Sequence, residues 1–560
     1  MDPFLERELE KLSHDNIAFR AKTGHLHQTW AKTFSSRPSL YIQPESQDEI
    51  RKIVTLARRC RRRITVVGSR HSPSDLTCTS SWMVNLDKFN KVISVDEARK
   101  VVIMQSGIRL WQLSAELKKV GLAMPNLGSI DDQSIAGAIA TGTHGSTLRH
   151  GILSSDVLAL RIMLSNGNTV LCSSEQNADL FAAALVSLGA LGIITEVTFQ
   201  AVSAFNIEWE QSIWPLSRIL DSWSGEESLW GQAEFVRVWW CPYGKRGIVW
   251  KADRTDKPVG PGRRKKKSWY GGWVGYHTYQ GLLWVAQWVP RLLPWIEWFV
   301  FGMEYGFGYG VCGDGVEEGR EGLLMDCLYL QFVNEWAIPL EKGPEAISRL
   351  QSWLDGDQPT SRIPFSPRGI YVHSPIEVRV SDTTSTTSPL PHLDPSFPTG
   401  PTLYLNATLY RPYSRDPPCR TQYYRAFEHL MKDLGGRPHW AKNFSTVTRE
   451  EIWDMYPNTM KGWLDLRNQV DPEGMFVGRW HRRLLVPPPS NGEASDEGRG
   501  ARAKKGIKVS IGGRDGATEE LASTTSEESF VMMQGAEAEG SVFLQGIVAD
   551  EEKGTGGEEA

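Results

Sequence analysis

Apolar residues fall at Ile50, Ile53, Val54 and Ala57 with charged or polar residues between most of them, an i, i+3, i+4, i+7 spacing that predicts a helix with one apolar face. Ser46, three residues ahead of Glu49, predicts a capping box at its start. The period then changes to that of strands. ITVV, WMVNLD, VISV and VVIMQ read as strands, and LWQLSAELKKVG as a helix closed by Gly121. DVLALRIML, the turn SNGN, the strand TVLCS, the helix ADLFAAALVSLG and the strand IITEVTF continue the alternation. Over the first two hundred residues this predicts an α+β or α/β domain of nucleotide-binding type.

Length adds to that picture, because 560 residues exceed what one hydrophobic core usually serves and predict two domains plus unstructured sequence. A net charge of -4 gives no bulk attraction to nucleic acid. Seven cysteines are scattered and never form CxxC, which excludes a disulfide framework and a zinc site and leaves reduced thiols, with no metal expected. The N-terminus MDPFLERELEKLSHD lacks an apolar h-region, so no secretory signal is read and a cytosol-facing protein is expected. SDTTSTTSPLPHLDPSFPTG, 381–400, reads as a mobile loop. Residues 486–560 are rich in Gly, Glu, Ser and Ala and read as a disordered tail.

Candidate chemistry begins at VVGSRHSPSD, where Gly68 lets the backbone N–H groups of Ser69, Arg70 and His71 converge on an anion, with His71 on an exposed turn. A second stretch, NLGSIDDQSIAGAIATGTHGS, carries Gly128, Gly137, Gly142 and Gly145, which leave backbone bare along a long flat ligand. Either stretch alone is equally a tight turn in a packed domain. GYGVCG at 308–313 satisfies GxGxxG but has no βαβ unit around it, so a Rossmann reading is set aside. In HSPIEVRVSD, Glu377 and Arg379 alternate with Ile376, Val378 and Val380, placing both charges on one strand face. By itself that is an ordinary solvated strand.

GSRHSPSD, NLGSIDDQSIAGAIATGTHGS and SLGALGIITEVTF, in this order, together with HSPIEVRVSD, RPHWAKNF and DPEGMFVGRWHRR, resemble the vanillyl-alcohol oxidase family of flavoproteins. Within it the chain is most similar to the aldonolactone oxidases, in particular the fungal enzymes that act on D-arabinono-1,4-lactone. The resemblance implies an α+β, two-domain FAD-binding fold, with an FAD-binding domain over 20–202 and a C-terminal substrate (cap) domain over 203–485. It implies FAD bonded through His71 to the 8α-methyl. The family has glycine before that histidine where this chain has Arg70. Flavin contacts are implied for Gly68, Ser69, Arg70, His71 and Ser72, for Gly128, Ser129, Gly137, Thr141, Gly142, His144 and Gly145, and for Ile194. Glu377 and Arg379 then grip substrate hydroxyls, Lys442 matches an active-site lysine and Ser134 a small polar residue beside the flavin, with His439 a weaker candidate. The implied reaction is oxidation of a sugar lactone by molecular oxygen, giving an erythroascorbate- or ascorbate-type product and hydrogen peroxide. A dehydrogenase of the same fold with another acceptor, or a catalytically silent flavoprotein scaffold, stands as the alternative.

An aromatic insertion at about 263–311 is a separate feature. RRKKK at 263–267 precedes a segment containing Trp269, Trp273, Trp284, Trp288, Trp295 and Trp298. Pro290, Pro294, Arg291 and Glu297 make it a poor spanning helix. Tryptophan and basic charge suit a membrane surface instead, while an aromatic core or an oligomer contact is the plainer reading. The resembling fungal enzymes are mitochondrial membrane proteins, which implies a membrane-associated, mitochondrial location.

Overall fold

The helix expected from Ile50, Ile53, Val54 and Ala57 spans Gln47–Arg59 in the computed structural model, and all four side chains are buried. Only half of the capping box forms. Ser46 Oγ accepts from Glu49 N, but the Glu49 carboxylate accepts from Glu45 N and pairs with Arg20, so the tertiary cation wins over the reciprocal cap. The structure describes residues 3–12, 16–261, 271–325, 327–384, 386 and 388–487. The basic run 263–267, Trp269 and the tail from 488 onward lie outside them.

Among the described residues, the first two hundred build two main sheets, beside the short pair His27–Gln28 with Ser35–Ser36. Ala21–Lys22, Leu40–Ile42, Trp82–Asn85 and Ile64–Val67 lie in that spatial order, the last three mutually parallel. Thr169–Ser173, Val157–Met163, Ile193–Gln200, Val101–Gln105 and Val92–Asp96 form an antiparallel five-stranded sheet. Each strand and helix expected here is present, and Gly121 takes φ +68° where the helix Leu110–Lys119 ends.

The second half is organised by a nine-stranded antiparallel sheet, which the sequence announced only at 376–380. Four of its strands are β1 (Phe235–Cys241), β2 (Gln331–Pro339), β3 (Ile376–Ser381) and β4 (Thr402–Tyr410). They lie in the order β1, β3, β4, β2. Gly310–Glu318, which holds most of the GxGxxG match, is another antiparallel strand of this sheet. Two helices, α1 (Trp273–Ala286) and α2 (Leu293–Tyr305), come from the aromatic insertion. The break between them falls at the proline-bearing turn Pro290–Leu292.

One apolar core runs through both halves, from Leu110 and Phe181 to Val378, Leu405 and Trp440. Backbone bonds add to it: Thr147 N donates to Val380 O at 2.9 Å and Val236 N to Ser146 O at 3.1 Å. The glycine-bearing segment 126–147 is thereby fixed against β1 and β3. Residues 391–396 correct the mobile-loop expectation. Leu393 and Ser396 are buried, and Arg437 donates to the carbonyls of Asp394 and Ser396, because the Ser/Pro-rich composition hides an anchoring apolar residue.

Candidate active site

The turn after Ile64–Val67 faces the segment 133–141 across a cleft of about 980 Å³, open solvent at its mouth included. Its closest approach is at Gly68, where a Cβ would stand 2.0 Å from Ser134 Oγ, so any larger residue would close it. Ser69, Arg70, His71 and Ser72 line one wall; Ser134, Gly137 and Thr141 the other; and Ile194 stands with Leu188 and Gly189 at a third side. Three lining residues carry a buried polar atom with no partner: His71 Nδ1, Ser106 Oγ and Gln133 Oε1. Buried polar atoms are normally satisfied. A cleft with bare backbone and unspent hydrogen-bonding groups suits a long polar ligand such as FAD.

His71 is not on an exposed turn. Its side chain is about 10 % accessible, stacks on Trp30 with ring centroids 5.6 Å apart, and faces Asp132 at 3.8 Å through Nε2. Burial pushes its pKa down to about 4 against the opposing pull of Asp132, so the ring is neutral at physiological pH. A neutral imidazole is the form able to bond to carbon. Arg70 has φ +66°, the left-handed region that costs a residue with a Cβ roughly 1–2 kcal/mol. The turn is held by Trp30 N donating to Arg70 O at 2.9 Å.

His71 and Gln133 also line a second, larger cavity of about 1830 Å³, open solvent at its mouth included. Strand register sets its chemistry. Glu335 on β2 is paired with Asn406 on β4, Asn406 with Glu377 on β3, and Glu377 with Trp239 on β1, so four side chains form one row on one sheet face. Arg379, two residues past Glu377, lies on the same face. It donates through Nη2 to Glu335 Oε1 at 2.5 Å and through Nη1 to Ser129 Oγ at 3.2 Å, and its Nε lies 3.6 Å from Glu377 Oε2. Ser129 Oγ and Asn406 Nδ2 each reach Glu377 at 3.4 Å. Lys442 Nζ meets Glu335 Oε2 at 3.3 Å.

Glu335 is the centre of this arrangement and only 1 % exposed. Burial alone would raise its pKa, but Arg379 and Lys442 hold the carboxyl well below the usual range. His144 Nε2 lies 3.2 Å from Glu335 Oε1. Its Nδ1 faces Gly145 O at 2.9 Å, so both ring nitrogens face acceptors, and burial lowers the pKa of the ring that bridges them. His439 N donates to Glu335 O at 2.9 Å and Asn443 N to Val333 O at 2.7 Å, which lays the Lys442 loop along β2. His144, Glu335 and His439 bring ligand-type atoms within 4.8 Å of one another. Both Glu335 oxygens already face fixed cations, so the carboxylate is spent on those.

Most expected residues converge. Glu377, Arg379 and Lys442 share the cavity with Gly128, Ser129 and His144, while Gly68 to Ser72, Gly137, Thr141 and Ile194 line the cleft. Ser134 lines the cleft, whereas Ser129, expected as a flavin contact, touches the charged pair. Where a side chain would stand on Gly142 and Gly145, Pro395 and Asn126 fill the space, so these two glycines serve close packing. Glu335, Asn406 and Gln133 were missed. The signal for Glu335 was a lone carboxylate inside the apolar run FVNEWAI, which when buried needs a cation.

A family model described as D-arabinono-1,4-lactone oxidase matches residues 197–484, and one described as an FAD binding domain matches residues 38–173. The chain is 54 % identical over 500 residues to a Neurospora crassa protein, covering 86 % of this chain and 89 % of that one. It is 40 % identical over 521 residues to the D-arabinono-1,4-lactone oxidase of Yarrowia lipolytica, covering 82 % of this chain and 96 % of that one. Among solved structures, cholesterol oxidase from Brevibacterium sterolicum superposes with a TM-score of 0.71 at 15 % identity, over 84 % of this chain and 99 % of that one. That likeness concerns the fold.

Proposed function

The chain belongs to the D-arabinono-1,4-lactone oxidase family and carries its FAD-binding domain, and on that premise we propose that it oxidises a ring hydroxyl of an aldono-1,4-lactone and passes the electrons to molecular oxygen. The observation that carries this reading is the junction of the two cavities at His71 and Gln133, with Glu377, Arg379 and Lys442 on the substrate side. Bound FAD supplies the hydride acceptor. Glu377 and Asn406 offer an acceptor and a donor to neighbouring hydroxyls, which fixes the lactone ring. Arg379 and Lys442 stabilise negative charge on the substrate oxygen as its proton leaves, in a site where their positions are set beforehand. The balance is simple: the CH–OH carbon loses two electrons and two protons, and oxygen gains both to become hydrogen peroxide. The keto-lactone enolises to an erythroascorbate-type enediol.

Oxygen is favoured over another acceptor by Gly128, which lines the substrate cavity and leaves 3.1 Å between a notional Cβ and Thr143 Cγ2. We further infer that His71 holds FAD covalently, a reading supported by its neutral ring and unpartnered Nδ1. The protein is also proposed to sit on a mitochondrial membrane surface, facing the cytosol. Support comes from Trp273, Trp288, Trp295 and Trp298, which are 78 %, 67 %, 52 % and 54 % exposed. No described helix is long and apolar enough to cross a membrane.

The deciding experiment is aerobic turnover on a panel of sugar lactones, following peroxide and the flavin band together. Lactone-dependent bleaching with stoichiometric peroxide is expected, and a flavin that stays oxidised with every lactone refutes the activity. For the covalent bond, FAD should remain with acid-precipitated wild-type protein and leave the His71→Ala variant. Equal release from both refutes it.

A further inference from the structure

Two fixed cations in a sugar site raise a problem of selectivity. Lactones hydrolyse to aldonates, which carry the same hydroxyls plus a carboxylate, and Arg379 and Lys442 side by side would attract that anion. The site must therefore reject a ligand that differs from the substrate chiefly in charge. Glu377 faces the substrate cavity and is 3.6 Å from Arg379 Nε. Glu335, behind the two cations, takes Arg379 on one oxygen at 2.5 Å and Lys442 on the other at 3.3 Å. Together the four groups sum to zero, and so do the next nearest charges, Glu304 at the cavity wall and buried Arg237, which interacts with Glu377 and Arg379.

We propose that Glu335 is a specificity-determining residue, which cancels the surplus positive charge of Arg379 and Lys442 so that the site takes the neutral, ring-closed lactone and discriminates against the open-chain aldonate. The inference rests on the lactone-oxidase reading and names what that site excludes. Three features separate this role from plain structural support. Glu335 is fully desolvated, so its charge is felt at short range with little screening. Each of its oxygens is aimed at a different cation rather than both at one. Its own backbone carbonyl accepts from His439 N at 2.9 Å, so the loop that delivers Lys442 is registered to the residue that neutralises it. His144, the other side chain against Glu335 Oε1, has its pKa lowered by burial and adds no charge to this sum.

The test uses flavin-loaded enzyme and two probes, D-arabinono-1,4-lactone and D-arabinonate. Affinity for each is read from perturbation of the flavin absorbance with the substrate turned over anaerobically only once, and from competitive inhibition by the aldonate. In Glu335→Gln the site gains one net positive charge, and the ratio of aldonate to lactone affinity should rise by about tenfold or more. Adding Lys442→Met restores neutrality and should bring the ratio back towards wild type, while Glu335→Asp, which keeps the charge, should leave the ratio near wild type even where turnover falls. If Glu335→Gln does not accumulate as holoprotein, the single variant Lys442→Met carries the test with opposite sign: the net charge becomes negative and the ratio should drop by a similar factor. An unchanged ratio in Glu335→Gln, or in Lys442→Met where that variant stands in, overturns the proposal. Failure of the lactone reading looks different, because the wild-type enzyme would then fail to bind or oxidise the neutral lactone, whereas the aldonate binding of the charge variants would still report on the balance.

Discussion

Replacing Arg379 by alanine removes the group that touches most of the site. The guanidinium is 5 % exposed, bonded to Glu335 and Ser129 and 3.6 Å from Glu377. Two losses follow and they can be separated. Its charge is best used when negative charge develops on the substrate oxygen, and loss of one such preorganised contact costs roughly 10²–10³-fold in kcat, or about 3–4 kcal/mol. Because that interaction belongs to the transition state, kcat and kcat/KM should fall together. Glu335 would keep Lys442 but lose its shorter partner, and breaking a buried pair costs on the order of 3–5 kcal/mol of stability, so the assay must be run well below the variant's Tm. Arg379 does not line the flavin cleft, so flavin content per chain should match wild type. The measurement is anaerobic stopped flow, mixing variant and lactone and following bleaching of the flavin band. Reduction at the wild-type rate, with full flavin content, would refute the assignment and leave Arg379 only a structural partner of Glu335.

Gly128→Ala should slow reoxidation by oxygen while leaving reduction by lactone intact, since the new methyl would sit about 3.1 Å from Thr143 Cγ2 in the cavity wall; equal oxygen reactivity in the two proteins removes Gly128 as the gate. Arg70→Gly should raise Tm, because relief of the positive φ is worth roughly 1–2 kcal/mol and exceeds the roughly 0.4–1 kcal/mol entropic penalty of glycine; a lower Tm at equal flavin content would show that the Arg70 side chain contributes binding instead. Acid should destabilise the fold through its buried histidines, with Glu297, whose pKa burial raises to about 7, opposing them. Burial lowers the pKa of His373 to about 3 and of His481 to about 4, so the unfolded chain takes up these protons first as pH falls below about 6.5. Stability is complete above that pH and is lost towards pH 4, by roughly 3 kcal/mol for His481; a Tm that does not change between pH 7.5 and 5.5 contradicts this.

What was legible in the sequence follows from where the information is local. The first two hundred residues declare themselves because each element has its own period and stop signal, as with Ile50 to Ala57 or Gly121. The nine-stranded sheet does not, because β4 (TLYLNATLY) is buried at every position and so shows little alternation to read. The site divides the same way. Glu377 and Arg379 could be placed together since i and i+2 share a strand face, but Glu335 and Asn406 join them only through register across β4 and β2, which depends on long-range pairing. Ser129 and Ser134 lie five positions apart in one segment, and only the path of that segment decides which meets the substrate cavity.

The aromatic insertion joins surface to site, and this dictates how its membrane role can be tested. The inner face of α2 buries Ile296, Val300 and Phe301, while Phe301, Glu304 and Tyr305 line the substrate cavity. Glu297, buried and with its pKa raised to about 7 by burial, accepts from Ser374 Oγ beside the start of β3. Removing the insertion would therefore open the cavity and free the strand that carries Glu377 and Arg379, so loss of both binding and turnover would carry no information. Single changes on the outer face avoid this. Trp273 and Trp295 are 78 % and 52 % exposed, and neither lines the cavity. Trp273→Ser with Trp295→Ser should weaken flotation with anionic liposomes, since tryptophan favours the headgroup layer, while kcat on the lactone stays at the wild-type value. High salt should weaken binding of the wild-type protein further by screening its basic run. Flotation equal to wild type in the double variant would refute membrane attachment through this face.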